Sequence, residues 1–255
     1  SCVTSFGIYT EIIETWKHFP EELEKTREYL HKATGREFDI PENMAHTSDI
    51  VYKFRNEIAS KAKYRLINKK TGEPLKVVEH IGCHYSKMFP KYGVGGAEFP
   101  KVLSGMIEAW GGDVIDYPER RHCCGFGFRQ YIVQANRGYC LSNSVKKFES
   151  MKPFKPDFII TNCPGCNMFM DKWQYTIREM EGRTYGENGL SIPVLTYEEV
   201  AGLVLGMNPW ELGLQYHMVQ PEPLLDKMGV EYSKSDKFIT KDGKPLPAPE
   251  KLINV

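Results

Sequence analysis

From Leu75 onward the chain changes period four times in the same way. The apolar runs "LKVVEHIG", "DVIDY", "PDFIITN" and "SIPVLTY" read as strands, and each is followed by a stretch of helical spacing: "EFPKVLSGMIEAW", "RQYIVQANRGYCLSNSVKKFESM", "PGCNMFMDKWQYTIREM" and "EEVAGLVLG". Neighbouring parallel strands need a long crossover between them, and a helix is the usual one. The alternation therefore predicts an α/β fold, a mainly parallel sheet flanked by helices. Val102/Leu103, Met106/Ile107 and Trp110, and likewise Phe169, Trp173 and Ile177, fall at three- and four-residue steps and are expected in the core. The first 60 residues read as helices. Ile8, Ile12 and Trp16, with Tyr9 and Ile13 beside them, predict one apolar face. "FPEELEKTREYLHKATG" starts near Pro20, stops at Gly35 and carries a solvated charged face. "TSDIVYKFRNEIASKAK" offers Thr47 or Ser48 as N-cap. "YRLI", "NKKTGEP" and "LKVVEHIG" together predict a hairpin. Three segments result: a helical segment 1–63, an α/β unit 64–218 that carries most of the cysteines, and a C-terminal extension 219–255, loosely structured apart from a short helix near "PLLDKMG".

Charge excludes some functions. Lys plus Arg equals Asp plus Glu, 33 each in 255 residues, so no bulk field attracts nucleic acid or anionic lipid. The longest apolar candidate, "VAGLVLGM", falls far short of the ~20 residues of a membrane span. The opening "SCVTSFGIYTEIIETW" has Glu and Thr where a secretory signal has a basic flank and an apolar centre. A soluble chain in the reducing cytoplasm is expected. The seven cysteines are odd in number and the chain is not small, which argues against a disulfide framework and for metal or redox chemistry.

Five of the seven fall at strand ends on this map. Cys83 follows "VVEHI", Cys123 and Cys124 follow "DVIDY" by a few residues, Cys163 follows "FIIT", and Cys166 opens the next helix. Ligands of open α/β sheets collect at the carboxyl ends of the strands, so three distant segments deliver five thiols to one place. Helix N-termini favour thiolates, and Arg120, Arg121 and His122 add positive charge beside the adjacent pair. Gly125 and Gly165 allow tight turns against a bound group, and Pro164 suits the first helical position. Thiolate sulfur selects iron–sulfur clusters, zinc or copper(I). Five thiols exceed the four that tetrahedral zinc or a four-cysteine cubane takes, so the adjacent pair is expected to grip two atoms of a larger inorganic cluster. A zinc site and unconnected buried thiols are the alternatives.

The spacing carries a resemblance. Between Cys83 and Cys123 lie 39 residues, and between Cys124 and Cys163 lie 38; the pair is followed by Gly125, and Cys163-Pro164-Gly165-Cys166 forms a CxxC. This pattern resembles the CCG domain of the B-type subunits of heterodisulfide reductase over residues 75–217, and the later "LGLQYHMV" is also similar to those proteins. The resemblance implies a non-cubane four-iron four-sulfur cluster held by Cys83, Cys123, Cys124, Cys163 and Cys166, one such cluster in this chain. Members of the family carry two such domains in tandem. "SCVTSFGIY" resembles the end of a first one, with Ser5 where the second cysteine of its CxxC would stand, so 1–63 reads as the remnant of a first domain or as the start of a single-site protein.

The resemblance further implies an oxidoreductase subunit that reduces a small disulfide or oxidises a thiol. It would be fed by a ferredoxin-like iron–sulfur subunit and a flavin-containing subunit of a larger complex. The alternatives are an electron-transfer or docking subunit of a succinate dehydrogenase, fumarate reductase or lactate-oxidation complex, and a zinc-stabilised assembly module. His84 and His122, beside ligand cysteines, are the candidates for hydrogen bonding to cluster sulfur or protonating a departing thiolate. Cys140 is expected to be a buried apolar residue, and Cys2 and His217 are given no role. "GVGGAE" and "GFGF" lack the G-x-G-x-x-G context of a nucleotide loop.

Overall fold

A computed structural model describes residues 3–41, 44–86, 94–127, 137–185 and 191–249. Cys2 and the first half of the helix expected from 129 lie outside the described residues. Four helices come first: α1 (Val3–His18), α2 (Pro20–Thr34), α3 (Thr47–Lys53) and α4 (Arg55–Ser60). Then follow β1 (Lys76–His80), α5 (Cys83–Ser86), α6 (Ser104–Ala109), β2 (Asp113–Val114), α7 (Arg137–Met151), β3 (Phe158–Thr161), α8 (Pro164–Glu181), β4 (Val194–Thr196), α9 (Tyr197–Leu205) and α10 (Glu222–Met228). These four strands pair in parallel throughout, in the order β2-β1-β3-β4. The α/β expectation holds. The hairpin does not: only an isolated antiparallel bridge, Ile67 to Pro74, remains of it among the described residues, because β1 pairs forward with β2 and β3.

The strand order creates the site. From β1 the chain moves to one side for β2, then returns past β1 for β3. The crossovers on either side of the β1/β3 boundary therefore run in opposite directions, which opens a crevice at the carboxyl ends of those two strands. Register places His80 beside Thr161 at those ends, so Cys83 and Cys163 leave the sheet side by side. The central strands are buried along nearly their whole length, and helices flank the sheet; Val77, Val78, Phe158, Ile159 and Ile160 have no exposed surface. Met106, Trp110, Phe169 and Trp173 lie in the same core, as their spacing predicts.

Two expectations about the helices change. Helix α1 buries Val3, Phe6, Gly7, Thr10, Ile13 and Glu14, while Ile8 and Tyr9 are exposed. The apolar side chains of α1 nearly encircle it, so periodicity alone does not choose the face; Val3 and Phe6 enter the main core and decide it. The N-cap of α3 is His46, not Thr47 or Ser48. The His46 ring accepts from the Ser48 amide, and Asp49 accepts from the His46 amide at 2.9 Å. Thr47 turns its hydroxyl to that of Tyr197 instead.

The segment after 218 is also more ordered than composition predicts. Val219, Leu224, Leu225, Met228 and Val230 are buried, and Lys227 pairs with Asp157 at 2.5 Å. Residues 217–219 are clamped between α8 and α9: Asp171 accepts the amides of Met218 and Val219, and His217 bonds Glu199 at 2.9 Å. Burial pushes the Asp171 carboxyl up to about 6. Burial alone would lower the His217 pKa, but the Glu199 hydrogen bond and charge outweigh it and raise the pKa. Both groups bind protons more readily folded than unfolded, so the clamp's contribution is complete below the unfolded carboxylate pKa. It then declines as pH rises, first through the Asp171 range and then above the ordinary histidine value. Urea unfolding from pH 4 to 8 is expected to show this decline, with Asp171→Asn flattening its lower part and His217→Gln its upper part. A wild-type slope retained in both variants would contradict it.

Candidate metal centre

Three loops meet at the β1/β3 crevice. The first, residues 81–83, leads into α5. An added Cβ at Gly82 would lie 2.8 Å from the Cβ of Cys163 and 2.6 Å from Val3, so only glycine lets this loop lie against the third. The Gly82 amide donates to Asn162 Oδ1 at 2.9 Å and ties the two loops together. The second loop carries Cys123 and Cys124. Gly125, at φ +92°, occupies backbone space that L side chains rarely adopt, and a Cβ there would collide with the Cys140 carbonyl oxygen. Ser144 of α7 fixes the same loop by donating to the Cys124 carbonyl at 2.5 Å. The third loop ends in Cys163, the N-cap of α8, with Cys166 in the first helical turn.

One pocket is lined by Cys83, Cys123, Cys124, Cys163 and Cys166 together; its non-atom space is about 650 Å³, open solvent included. Cys124, Cys163 and Cys166 are buried at its back, and Cys83 and Cys123 are exposed at its mouth. The Cys124 and Cys166 sulfurs lie 3.3 Å apart. Backbone amides point at three of the sulfurs: Gly125 at Cys123 (3.3 Å), Phe126 at Cys124 (3.4 Å) and Cys166 at Cys163 (3.4 Å). Such amide nests at a turn and at a helix N-terminus favour anions.

Electrostatics supports the same reading of the donors. Hydrogen bonds shared with Cys123 and Cys166 hold the Cys124 thiol well below its ordinary range against the cost of burial, and His80 adds to the effect. The bond from Cys166 likewise holds Cys163 down. The partners move the other way: Cys123 is pushed up by Cys124 and by burial, and Cys166 by Cys124 and Cys163. Crowded sulfurs thus share protons because adjacent buried thiolates repel one another. A soft polycationic group in the pocket would take the place of those protons at every sulfur, so the residues present fit an iron–sulfur cluster in donor type, number and placement.

Other expected residues divide. His84 lines the pocket, and its buried Nδ1 has no hydrogen-bond partner among the described residues. His122 also lines it, but its Nε2 bonds Asn143 Oδ1 at 2.8 Å and its Nδ1 lies 3.5 Å from Glu119. Arg120 and Arg121, expected to offer charge beside the thiols, both line the pocket, and the Arg120 guanidinium also pairs with buried Glu79 of β1, Nε to Oε1 at 2.9 Å. Cys140 is buried at 1% exposure on α7 and is not among the residues lining the pocket. His217 is in the clamp described above, away from the pocket lining. Sequence reading missed His80. It is buried, and its ring nitrogen and the Cys124 and Cys166 sulfurs lie within 4.8 Å of one another. Its position as the last residue of the strand reading that ends three residues before Cys83 was the available signal.

Comparison with known proteins agrees with this geometry. The model of the cysteine-rich CCG domain matches residues 77–171. The chain is 30% identical over 227 residues to the B subunit of the ferredoxin:CoB-CoM heterodisulfide reductase of Methanosarcina mazei, covering 89% of this chain and 71% of that protein. It is 25% identical over 168 residues to the 8-methylmenaquinol:fumarate reductase membrane anchor subunit of Wolinella succinogenes, covering 66% of this chain and 54% of that one. A hypothetical protein of Helicobacter pylori shares the fold, with a TM-score of 0.54 at 15% identity over 82% of this chain and 35% of that one. No helix among the described residues is long and apolar enough to cross a membrane. With its CCG motif converging at one crevice and its similarity extending over most of its length, the chain belongs to the family of heterodisulfide reductase B-type subunits.

Proposed function

We propose that this chain is the iron–sulfur subunit of a heterodisulfide-reductase-like complex, acting in the cytoplasm on a small disulfide or thiol. In this reading Cys83, Cys123, Cys124, Cys163 and Cys166 hold one non-cubane four-iron four-sulfur cluster. The observation that carries it is the convergence of these five cysteines on one pocket, three at the back and two at the mouth. When bound, the cluster supplies stored electrons and an iron that can take a substrate sulfur. The chain's residues do the rest. Amides of Gly125, Phe126 and Cys166 stabilise sulfur charge, and the buried back excludes water from three ligands. His84, which lines the pocket, would give a proton to a departing thiolate. Electrons would come from a ferredoxin-like subunit, itself served by a flavin-containing one; the name of the Methanosarcina mazei relative pairs its reductase with ferredoxin, which is compatible with iron–sulfur electron supply.

A second reading is supported by the similarity to the Wolinella succinogenes anchor subunit: the same centre relays electrons or docks a complex without binding a sulfur substrate. Anaerobic purification with metal analysis, followed by electron paramagnetic resonance during titration with thiols and disulfides, separates the readings. About four irons per chain and a signal altered by a sulfur substrate are expected. Iron with a signal that no thiol or disulfide alters favours the relay. A colourless, zinc-only protein eliminates both.

A further inference from the structure

Lys147 of α7 is fully buried, with 0% of its surface exposed, and faces the loop that bears the adjacent cysteines. Its ammonium donates to the Tyr117 hydroxyl at 2.9 Å and to the carbonyls of Glu119 and Arg120 at 2.6 and 3.1 Å. All three of its protons are thereby used on one stretch, residues 117–120, which ends two residues short of Cys123. Among the described residues no carboxylate is within ion-pair distance of it; the Glu119 side chain turns to Lys146 instead, at 3.1 Å. A lysine is almost never fully buried unless paired, because desolvating its charge is costly. Burial accordingly draws Lys147 down to about 7, opposed by negative charge, first at Cys124, then at Cys166, Cys123 and Glu119. The first charge that opposes the cost of burial is that of Cys124, the candidate ligand held well below its ordinary range.

We propose that Lys147 is a positioning residue for the metal centre: a buried cation that pins the loop before Cys123–Cys124 from behind and offsets the negative charge of the thiolate set. The anchoring has two parts on one helix, since Ser144, one turn earlier, holds the Cys124 carbonyl. Added electrons make the centre more negative, so a fixed cation behind it stabilises the reduced state more than the oxidised one. In water-exposed surroundings the effect would be screened; here no solvent reaches the ammonium.

The inference rests on the cluster reading, so iron in the wild-type protein is measured first; a wild type without iron fails that reading and leaves nothing for Lys147 to tune. Given iron, Lys147→Met, Lys147→Gln and Lys147→Arg are compared by iron-to-protein ratio and by a redox titration followed spectroscopically. The Met and Gln variants are expected to shift the oxidised-to-reduced ratio at fixed potential about tenfold toward oxidised, a midpoint about 59 mV more negative for one electron. The Arg variant, which keeps the charge, stays near wild type. Tyr117→Phe removes one acceptor but no charge and is expected to leave the midpoint in place. Neutral variants that hold iron at the wild-type midpoint overturn the proposal, and so does Tyr117→Phe shifting as far as they do. If neither neutral variant folds or holds iron while Arg does both, the charge is required and the proposal stands. If Arg fails as well, shape and not charge is what the site needs, and it falls.

Discussion

Anaerobically prepared Cys124→Ser protein is expected to lose the brown colour and at least about tenfold of its bound iron, a loss at or beyond that seen when outer-shell partners of a metal are removed. Cys124 is the sulfur on which the pocket's interactions converge. It is buried, lies 3.3 Å from Cys166, accepts the Phe126 amide at 3.4 Å and is held in its low range by Cys123, Cys166 and His80. Serine keeps the shape but offers a hard, weakly acidic oxygen where a soft thiolate is needed. Cys140→Ser is the paired control. Cys140 is as deeply buried and touches the same loop through its carbonyl, but does not line the pocket. Iron analysis of the two variants side by side decides the matter: equal iron in both would mean that Cys124 is not a ligand.

Removing Arg120 is expected to give the largest change in fold stability. Glu79 lies on β1 with its side chain wholly buried, and the Arg120 guanidinium, 22% exposed, reaches it from the cysteine loop. Burial raises the Glu79 carboxyl even with Arg120 beside it, so without Arg120 it rises further. A raised carboxyl penalises the folded state increasingly as pH climbs above its unfolded value, and the penalty vanishes below that value. Arg120→Met should therefore cost about 3–5 kcal/mol near pH 8, the range for orphaning a buried charge, and clearly less near pH 5. The double variant Glu79→Gln/Arg120→Met should recover most of the loss, because no buried charge is left unpaired. Urea unfolding at the two pH values tests this; an equal loss at both would show that the pair is not electrostatic in origin. The same pair ties the second loop to the sheet, so iron binding in Arg120→Met should weaken alongside stability.

The contrast between what was legible and what was not follows particular residues. Cys83, Cys123, Cys124, Cys163 and Cys166 could be singled out because each lies at a change of period, where strand signals give way to a turn or helix. The core positions of α6 and α8 were legible for the same reason: Met106, Trp110, Phe169 and Trp173 repeat at helical steps and are buried. The exposed Ile8 and Tyr9 of α1 were not, because that helix is apolar on more than one side. The His46 cap escapes sequence reading because a ring nitrogen is an uncommon acceptor at that position. Arg120 points to the thiols by its place in the chain, whereas its partner Glu79 is 41 residues away.

The alternation of strand and helix, the inventory of sulfur donors and the family pattern are all written in local spacing and are legible along the chain. The strand order β2-β1-β3-β4, the register that sets His80 beside Thr161, and the reach of Lys147 and Arg120 to loops and strands remote from them in the chain emerge only when the segments pack together. The physical reason is that periodicity records which side chains avoid water, but not which distant partner they meet. Register and buried charge are settled by contacts between segments, whose energies no single segment contains.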